Sequence, residues 1–314
     1  MKKLLLVICL FLMLAGCSSG KSDVKRVGVI QLVQHDALDK ATQGFVDALN
    51  NEFADKVVVD IKNASGETAN CNTIATNFVA EDVDLIMGNA TPALQAAAHA
   101  TDKIPVLGTS VTEYGVALGI DNFNGTVGNN VSGTSDLAPL DEQAQMIVDL
   151  FKDVKTVGIL FCSAEANSKY QVSEMEKFLG EKGITVKNYS FADSNDVQAV
   201  AEQACSEIDV LYVPTDNTCA SYGSVIANAA NENNTPIITG EKDTCKVCEG
   251  LATLSIDYYE LGRTTGKMAV KILNGEDVSK MAIEYYDNPT RMYLKATADK
   301  LGIIVPGDYK PIED

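Results

Sequence analysis

The sequence predicts an α/β protein of two similar Rossmann-like lobes joined by hinge strands, with a ligand site in the cleft between them. Three observations carry this prediction. Short apolar runs alternate with segments of helical spacing along the chain. The order of these runs occurs twice, at a nearly constant offset. The length of 314 residues also exceeds what one hydrophobic core usually organises.

The chain opens with Lys2 and Lys3, followed by an unbroken apolar run over residues 4–14. Bilayer crossing takes about 20 apolar residues, so this run is too short to span and instead fits the apolar region of a secretory signal. It closes on Leu14-Ala15-Gly16-Cys17, small residues set directly before a cysteine, the pattern of a bacterial lipobox. Residues 1–16 are therefore expected to be a signal peptide, Cys17 to carry lipid, and residues 17–24 to form a short tether. The expected location is extracytoplasmic, anchored to the cell membrane by lipid and not by a spanning helix.

Strands and helices then alternate. Residues 27–32, 57–61, 83–87 and 105–107 read as strands, and 38–49, 68–79 and 91–100 as the helices between them. The strands are continuous apolar runs, as expected of parallel strands covered by helices on both faces. The same order returns later. Val24-Lys25-Arg26-Val27-Gly28-Val29 is echoed by Val154-Lys155-Thr156-Val157-Gly158-Ile159, an offset of 130. Val83-Asp84-Leu85-Ile86 is echoed by Ile208-Asp209-Val210-Leu211, an offset of 125. Ile104-Pro105-Val106-Leu107-Gly108 is echoed by Thr235-Pro236-Ile237-Ile238-Thr239-Gly240, an offset of about 131. Such a duplication describes two βαβ lobes with right-handed crossovers.

Residues 121–136, rich in Gly, Asn, Ser and Thr, suit a crossing strand or hinge. Residues 259–273 read as a helix starting near Asp257. That helix is expected to return to the first lobe and the final segment to the second. Lobe one would then comprise residues 25–136 with about 257–285, and lobe two residues 137–256 with about 286–314.

Charge and motifs narrow the function. There are 25 basic and 43 acidic residues, a net charge of −18. Removing residues 1–16 takes away Lys2 and Lys3 and leaves 23 against 43, or about −20. Such a surface repels phosphate backbones and anionic headgroups, which argues against nucleic acid as a partner. The only histidines are His35, at a predicted strand end facing the cleft, and His99, on a predicted helix surface. No Gly-x-Ser-x-Gly, His-Glu-x-x-His or Walker A pattern is present. Gln34-His35-Asp36 stands where a dinucleotide fold would place glycines. Neither catalysis nor a cofactor is expected.

Among eight cysteines, Cys9 lies in the signal and Cys17 carries the anchor, leaving Cys71, Cys162, Cys205, Cys219, Cys245 and Cys248. Cys245-Lys246-Val247-Cys248 is a lone C-x-x-C without the second pair or nearby histidines that zinc requires. Partial disulfide pairing in a loop is expected, with free thiols if the organism lives without oxygen.

Ligands of open parallel sheets lie beyond the carboxyl ends of the strands, and two facing lobes put that region in a shared cleft. Polar residues stand at those ends, at 31–35, 88–91 and 108–110 in lobe one and at 163–168, 214–218 and 240–241 in lobe two. The candidates for ligand contact are Gln34, Asn89, Thr91, Thr109, Ser110, Glu165, Asn167, Ser168, Asp216 and Asn217, with Asp257 from the later helix start. Ser, Thr, Asp and Asn after a strand are ordinary N-caps, and any single one of them is more often a cap than a ligand contact. The pointer to a ligand is that six such loops open on one cleft. Helix starts such as Thr91-Pro92 present free N–H groups that suit a carboxylate, whereas Asp216 suits an ammonium.

Gln31-x-x-x-His35-x-Ala37-Leu38-Asp39, Ala90-Thr91-Pro92-Ala93, Glu165-x-Asn167-Ser168, Val213-Pro214-Thr215-Asp216-Asn217-Thr218 and Asp257-Tyr258-Tyr259-x-Leu261-Gly262 occur in this order. Together they resemble the ABC-transporter substrate-binding family that includes tryptophan- and tyrosine-binding lipoproteins, from about residue 25 to residue 306. The resemblance implies a type I periplasmic-binding-protein fold, a partner permease with its ATPase, and an aromatic amino acid (tryptophan, tyrosine or phenylalanine) as ligand. On that reading Asp216 pairs with the ammonium, and Thr91, Thr109 or Ser110 hold the carboxylate with Asn167 and Ser168. The chain departs from the family at Asp36, where proline is usual, and at Thr112-Glu113-Tyr114, where Thr-Asp-Pro is common. A monomer is expected. A sugar or nucleoside receptor on the same fold, or a ligand sensor for another membrane protein, are the alternatives. The lack of tryptophan weighs against a sugar, although Tyr and Phe also stack on rings.

Overall fold

The structure, a computed structural model, describes residues 24–313; the signal segment and Cys17 lie outside the described residues. The first part of the chain forms β1 (Lys25–Gln31), α1 (Asp36–Phe53), β2 (Val57–Asn63), α2 (Thr68–Ala80) and β3 (Leu85–Asn89). It continues through α3 (Thr91–Ala100), β4 (Val106–Val111), the short α4 (Tyr114–Leu118) and β5 (Val131–Ser135). The second part forms α5 (Leu140–Leu150), β6 (Thr156–Cys162), α6 (Ala166–Glu181), β7 (Thr185–Phe191), α7 (Val197–Glu207) and β8 (Val210–Val213). After these come α8 (Asn217–Ser221), α9 (Gly223–Asn233), β9 (Ile237–Thr239), α10 (Lys242–Val247) and β10 (Ala252–Ser255). The tail adds α11 (Tyr258–Leu273), β11 (Glu284–Tyr285), β12 (Thr290–Tyr293), α12 (Lys295–Leu301) and β13 (Lys310–Pro311).

Two sheets result, one per lobe. The first runs β11-β5-β4-β3-β1-β2 and is parallel throughout. The second runs β13-β12-β10-β9-β8-β6-β7, with β12 antiparallel to β10. The repeat seen in the sequence is a repeat of register. Val27 pairs with Leu85 in the first sheet, and Val157 pairs with Val210 in the second. Both parallel pairs join strands two apart in the chain, with two helices and the intervening edge strand, β2 or β7, between them.

Most strands are buried on both faces, but β2 is not. It is the edge of the first sheet, and Val58 and Ile61 are 56% and 46% exposed. An apolar run thus reads as a central strand in sequence and lands at an edge, because strand order is set by long-range pairing.

The helix α11 follows the second sheet in sequence yet packs along α1 in the first lobe. Glycines permit that approach. A Cβ at Gly262 would overlap the Ala41 carbonyl, and one at Gly44 would overlap the Tyr259 carbonyl. Three segments therefore pass between lobes: β5 to α5, β10 to α11, and β11 to β12. Ala37, Ala41, Ala138, Ile256, Tyr258 and Leu261 form a small apolar cluster around the first two crossings. Among the described residues, no helix is long and apolar enough to cross a membrane.

Candidate functional site

The carboxyl ends of both sheets face each other, and the lobes are closed on one another. His35, just before α1, places Nε2 3.3 Å from Asn217 Oδ1 in the other lobe. Lys40 Nζ on α1 lies 2.6 Å from Asp243 Oδ1 on α10. Beneath these contacts is a narrow cavity between the lobes. Lobe one contributes His35, Ala37, Leu38, Ser110 and Thr112; lobe two contributes Asn167, Thr215, Asp216, Asn217, Ala220, Glu241 and Thr244. The crossings themselves contribute Asp136 and Tyr258.

Local geometry explains how each polar group reaches the cavity. The pairing of β4 with β5 shifts register between Gly108 and Val111. Ser110 sits at this irregularity with φ +53°, a conformation non-glycine residues rarely adopt. A bulge of this kind re-aims side chains, and Ser110 lines the cavity. Asp136 follows the last residue of β5 and is 4% exposed. Tyr258 at the start of α11 donates its hydroxyl to Asp136 Oδ2 at 3.0 Å, so the first two crossings are tied together by this carboxylate.

In lobe two, Asp216 caps α8 by accepting from Cys219 N at 2.8 Å. It also accepts from Cys162 N and Ser168 Oγ, each at 2.7 Å. Glu165 is similarly committed to its own lobe, accepting from Asn217 N and Nδ2 at 3.1 and 2.7 Å and from Thr218 N and Oγ1 at 3.0 and 2.9 Å. Glu241 caps α10 through the Asp243 and Thr244 amides.

Burial dominates the electrostatics. It raises the Asp136 carboxyl to about 6, with the Tyr258 and Thr112 hydroxyls offsetting part of the shift. Burial and the nearby Glu165 raise Asp216 to about 7, and burial with Asp243 raises Glu241 to about 7. Desolvation lowers His35. No Lys or Arg lines the cavity among the described residues.

Buried polar atoms normally find a partner. Here Ser110 Oγ, Asp136 Oδ1, Asn167 Oδ1 and Thr244 Oγ1 have none, and all four residues line this cavity. Such a cluster of unmet hydrogen-bonding groups between two closing lobes is what a polar ligand would complete.

The sequence candidates separate into groups. Ser110, Asn167, Asp216 and Asn217 line the cavity. Gln34 and Glu165 line a larger outer groove between the lobes, which Asn217 also borders. Ser168 stands behind Asp216 as its hydrogen-bond donor. Asn89, Thr91, Thr109 and Asp257 are not on the cavity wall. The Asn89 amide instead donates to Leu38 O and Thr42 Oγ1, at 2.8 and 2.9 Å, and holds α1 in place. Thr109 meets Thr134 within the sheet, Thr91 is buried on α3, and Asp257 is an exposed cap of α11. Thr112, Asp136, Thr244 and Tyr258 were not among the candidates. Asp136 carried a signal, being an acid at the end of a small-residue strand, but it reads equally well as part of a hinge.

The cysteine expectation needs correction. All six described cysteines are buried and unpaired, and Cys245 and Cys248 sit on α10 and its C-cap, not in a loop. His99 is exposed on α3.

Two α/β lobes, three crossings and a polar cavity between them define a two-lobed ligand receptor of the type I periplasmic-binding-protein fold. The chain belongs to the ABC transporter substrate binding protein family, which matches residues 26–309, a family of solute receptors and not of enzymes. It is 35% identical over 292 residues to a tyrosine-binding protein of Clostridioides difficile (strain R20291), covering 88% of this chain and 84% of that protein. Among solved structures, an ABC domain in complex with L-Trp from Streptococcus pneumonia superposes with a TM-score of 0.87 at 32% identity, covering 90% of this chain and 96% of that one. The ligand-free, open structure of a substrate-binding protein with adhesive properties from Clostridium difficile gives a TM-score of 0.71 at 35% identity, covering 92% and 99%.

Proposed function

We propose that this chain captures an aromatic amino acid outside the cytoplasm and delivers it to the permease of an ABC importer, held at the membrane by lipid on Cys17. The observation that carries the reading is the closed interlobe cavity with its four unpartnered polar groups. The conformation agrees with it. The chain superposes better on the L-Trp complex than on the ligand-free, open relative, although the open relative is the more similar in sequence. Ala37, Leu38, Ala220 and the Tyr258 ring supply an apolar wall beside the polar groups, the mixture a zwitterion with a ring requires.

In this mechanism the open receptor binds ligand, and closure forms the His35–Asn217 and Lys40–Asp243 contacts. A ligand that touches both lobes shifts the population toward the closed form by its differential affinity. Substrate-binding proteins of ABC transporters work outside the cytoplasm, which fits the signal and lipobox pattern of residues 1–17.

Titration calorimetry of the purified protein with L-tryptophan, L-tyrosine and L-phenylalanine, set against sugars and nucleosides, tests the ligand class. Binding of one or more aromatic amino acids is the expected result; binding only to a sugar or nucleoside would sink it. For the anchor, Cys17→Ser should release the protein from the cell, and unchanged membrane retention would argue against lipid on Cys17.

A further inference from the structure

We infer that Asp136 and Asn167 form the subsite for a primary ammonium group, with Asp136 Oδ1 as the charged anchor. This rests on the amino-acid reading above and assigns its polarity. The sequence suggested Asp216 for that role.

The buried acids differ in what each can still accept. Asp216 already receives the Cys162 and Cys219 amides and the Ser168 hydroxyl. These three donors position α8 against β6, and they leave the carboxylate little capacity for another donor. Glu165 is likewise spent on Asn217 and Thr218. Glu241 holds the first turn of α10 and neighbours Asp243, which closure pairs with Lys40. Asp136 differs. The Tyr258 hydroxyl donates to Oδ2 and the Thr112 hydroxyl also acts on the carboxyl, yet Oδ1 has no hydrogen-bond partner although the residue is almost fully buried.

Asn167 supplies a second unfilled acceptor, and its orientation follows from its neighbours. Its amide nitrogen lies within 3.3 Å of Glu165 Oε2, Ser168 Oγ and Thr215 O. A carboxylate and a carbonyl can only accept, so the N–H₂ end must face them and Oδ1 is left over. That oxygen is buried without a partner. Asp136 comes from a crossing segment and Asn167 from the start of α6 in lobe two. The Ser110 and Thr244 hydroxyls, also unpartnered, can donate as well as accept.

The two unfilled groups with no donor of their own are therefore a carboxylate oxygen and an amide oxygen. Among the described residues no Lys or Arg lines the cavity to meet them, and burial lowers His35. A ligand N–H₃⁺ brings three donors and the missing positive charge, and the ligand carboxylate is left to the Ser110 and Thr244 hydroxyls. Burial has already raised the Asp136 carboxyl, so an arriving ammonium relieves an existing cost. Because Oδ2 of the same carboxylate holds Tyr258, the ligand charge is read at the hinge itself.

The experiment compares wild type with Asp136→Asn, an isosteric change that keeps an acceptor for Tyr258. Calorimetry would use L-tryptophan, its des-amino analogue indole-3-propionate, and its des-carboxy analogue tryptamine, with the corresponding tyrosine series. In wild type, the amino acid should bind about thirtyfold or more tightly than the des-amino acid, the usual scale for removing one partner of a desolvated charge pair. In Asp136→Asn that ratio should fall to about threefold or less, and tryptamine binding should weaken in parallel. A ratio that survives the substitution overturns the subsite while leaving the amino-acid receptor intact. Wild-type protein that binds sugars or nucleosides but no amine overturns both. Should the variant fail to fold, wild type alone decides: the preference for the amino acid over its des-amino analogue should shrink as pH falls from 8 to 5, and a constant preference overturns the assignment.

Discussion

His35 Nε2 meets Asn217 Oδ1 across the cleft, and Glu165 decides which end of Asn217 does so. The Asn217 amide nitrogen donates to Glu165 Oε2 at 2.7 Å, which turns its oxygen toward His35. The imidazole must then carry its proton on Nε2. The pair exists only when the lobes are together, so it acts as a latch on the closed form. We expect His35→Ala to weaken ligand binding by about 2- to 13-fold, the value of one ordinary hydrogen bond, through faster release. Stopped-flow release rates would check this; an unchanged off-rate would remove the latch.

The pH dependence of stability follows from Asp136, and its sign can be stated. The folded protein holds its carboxyl at about 6, above the usual 3.8. A raised carboxyl contributes stability below the unfolded value and loses it as pH rises through the folded one. At pH 7.5 the buried charge therefore costs at most about 3 kcal/mol, two units at 1.36 kcal/mol each. Unliganded Asp136→Asn should melt above wild type at pH 7.5, and the gap should shrink to about half by pH 5, closing only as pH falls below the ordinary carboxyl value of 3.8. Asp216 and Glu241, raised for the same reason, and His35, lowered, titrate in both proteins and cancel in the comparison. Equal melting temperatures at pH 7.5 would contradict the prediction.

Salt should weaken the second interlobe contact more than the first. Lys40 is 40% exposed and Asp243 only 7%, so the pair is partly screened, whereas the His35–Asn217 bond carries no net charge. Lys40→Met should reduce the salt dependence of ligand affinity between 0.05 and 0.5 M, conditions spanning strong changes in screening. A salt slope identical to wild type would show that the ion pair does not contribute to closure.

The contact between α1 and α11 depends on missing side chains. Gly262→Ala would drive a methyl into the Ala41 carbonyl, and both partners are helix backbone that cannot rotate away. Overpacking of this kind typically costs about 1–3 kcal/mol, seen as a lower melting temperature. Gly119→Ala, with open space around its Cβ but a φ of +65°, should cost less, about 1 kcal/mol. The reverse order of damage would refute the packing argument.

The six described cysteines are buried thiols, and burial pushes Cys71 and Cys205 up to about 11 and Cys245 up to about 12. The thiolate is the reactive form, so alkylation of native protein should be slow at these six sites and fast after unfolding. Peptide mapping after iodoacetamide treatment would show it. Rapid native labelling of Cys245 or Cys248 would mean that α10 opens.

The two-lobed α/β architecture is legible in the amino-acid order, because a duplicated succession of apolar runs and helical segments is a local, periodic property. Val27 and Val157 announce equivalent strands before any contact is known. That order also locates the strand-end loops, and Ser110, Asn167, Asp216 and Asn217 do reach the cavity. Which polar groups stay free emerges from the packing of distant segments. Asp216 and Asp136 are both acids at strand ends and look alike in the chain. One is filled by donors from Cys162, Ser168 and Cys219, and the other keeps an oxygen open. Likewise the bulge that turns Ser110 inward, and the edge position that exposes β2, arise from pairing between distant strands. Hydrogen-bond capacity left over after folding is a property of the whole packed molecule, so no local pattern of residues can report it.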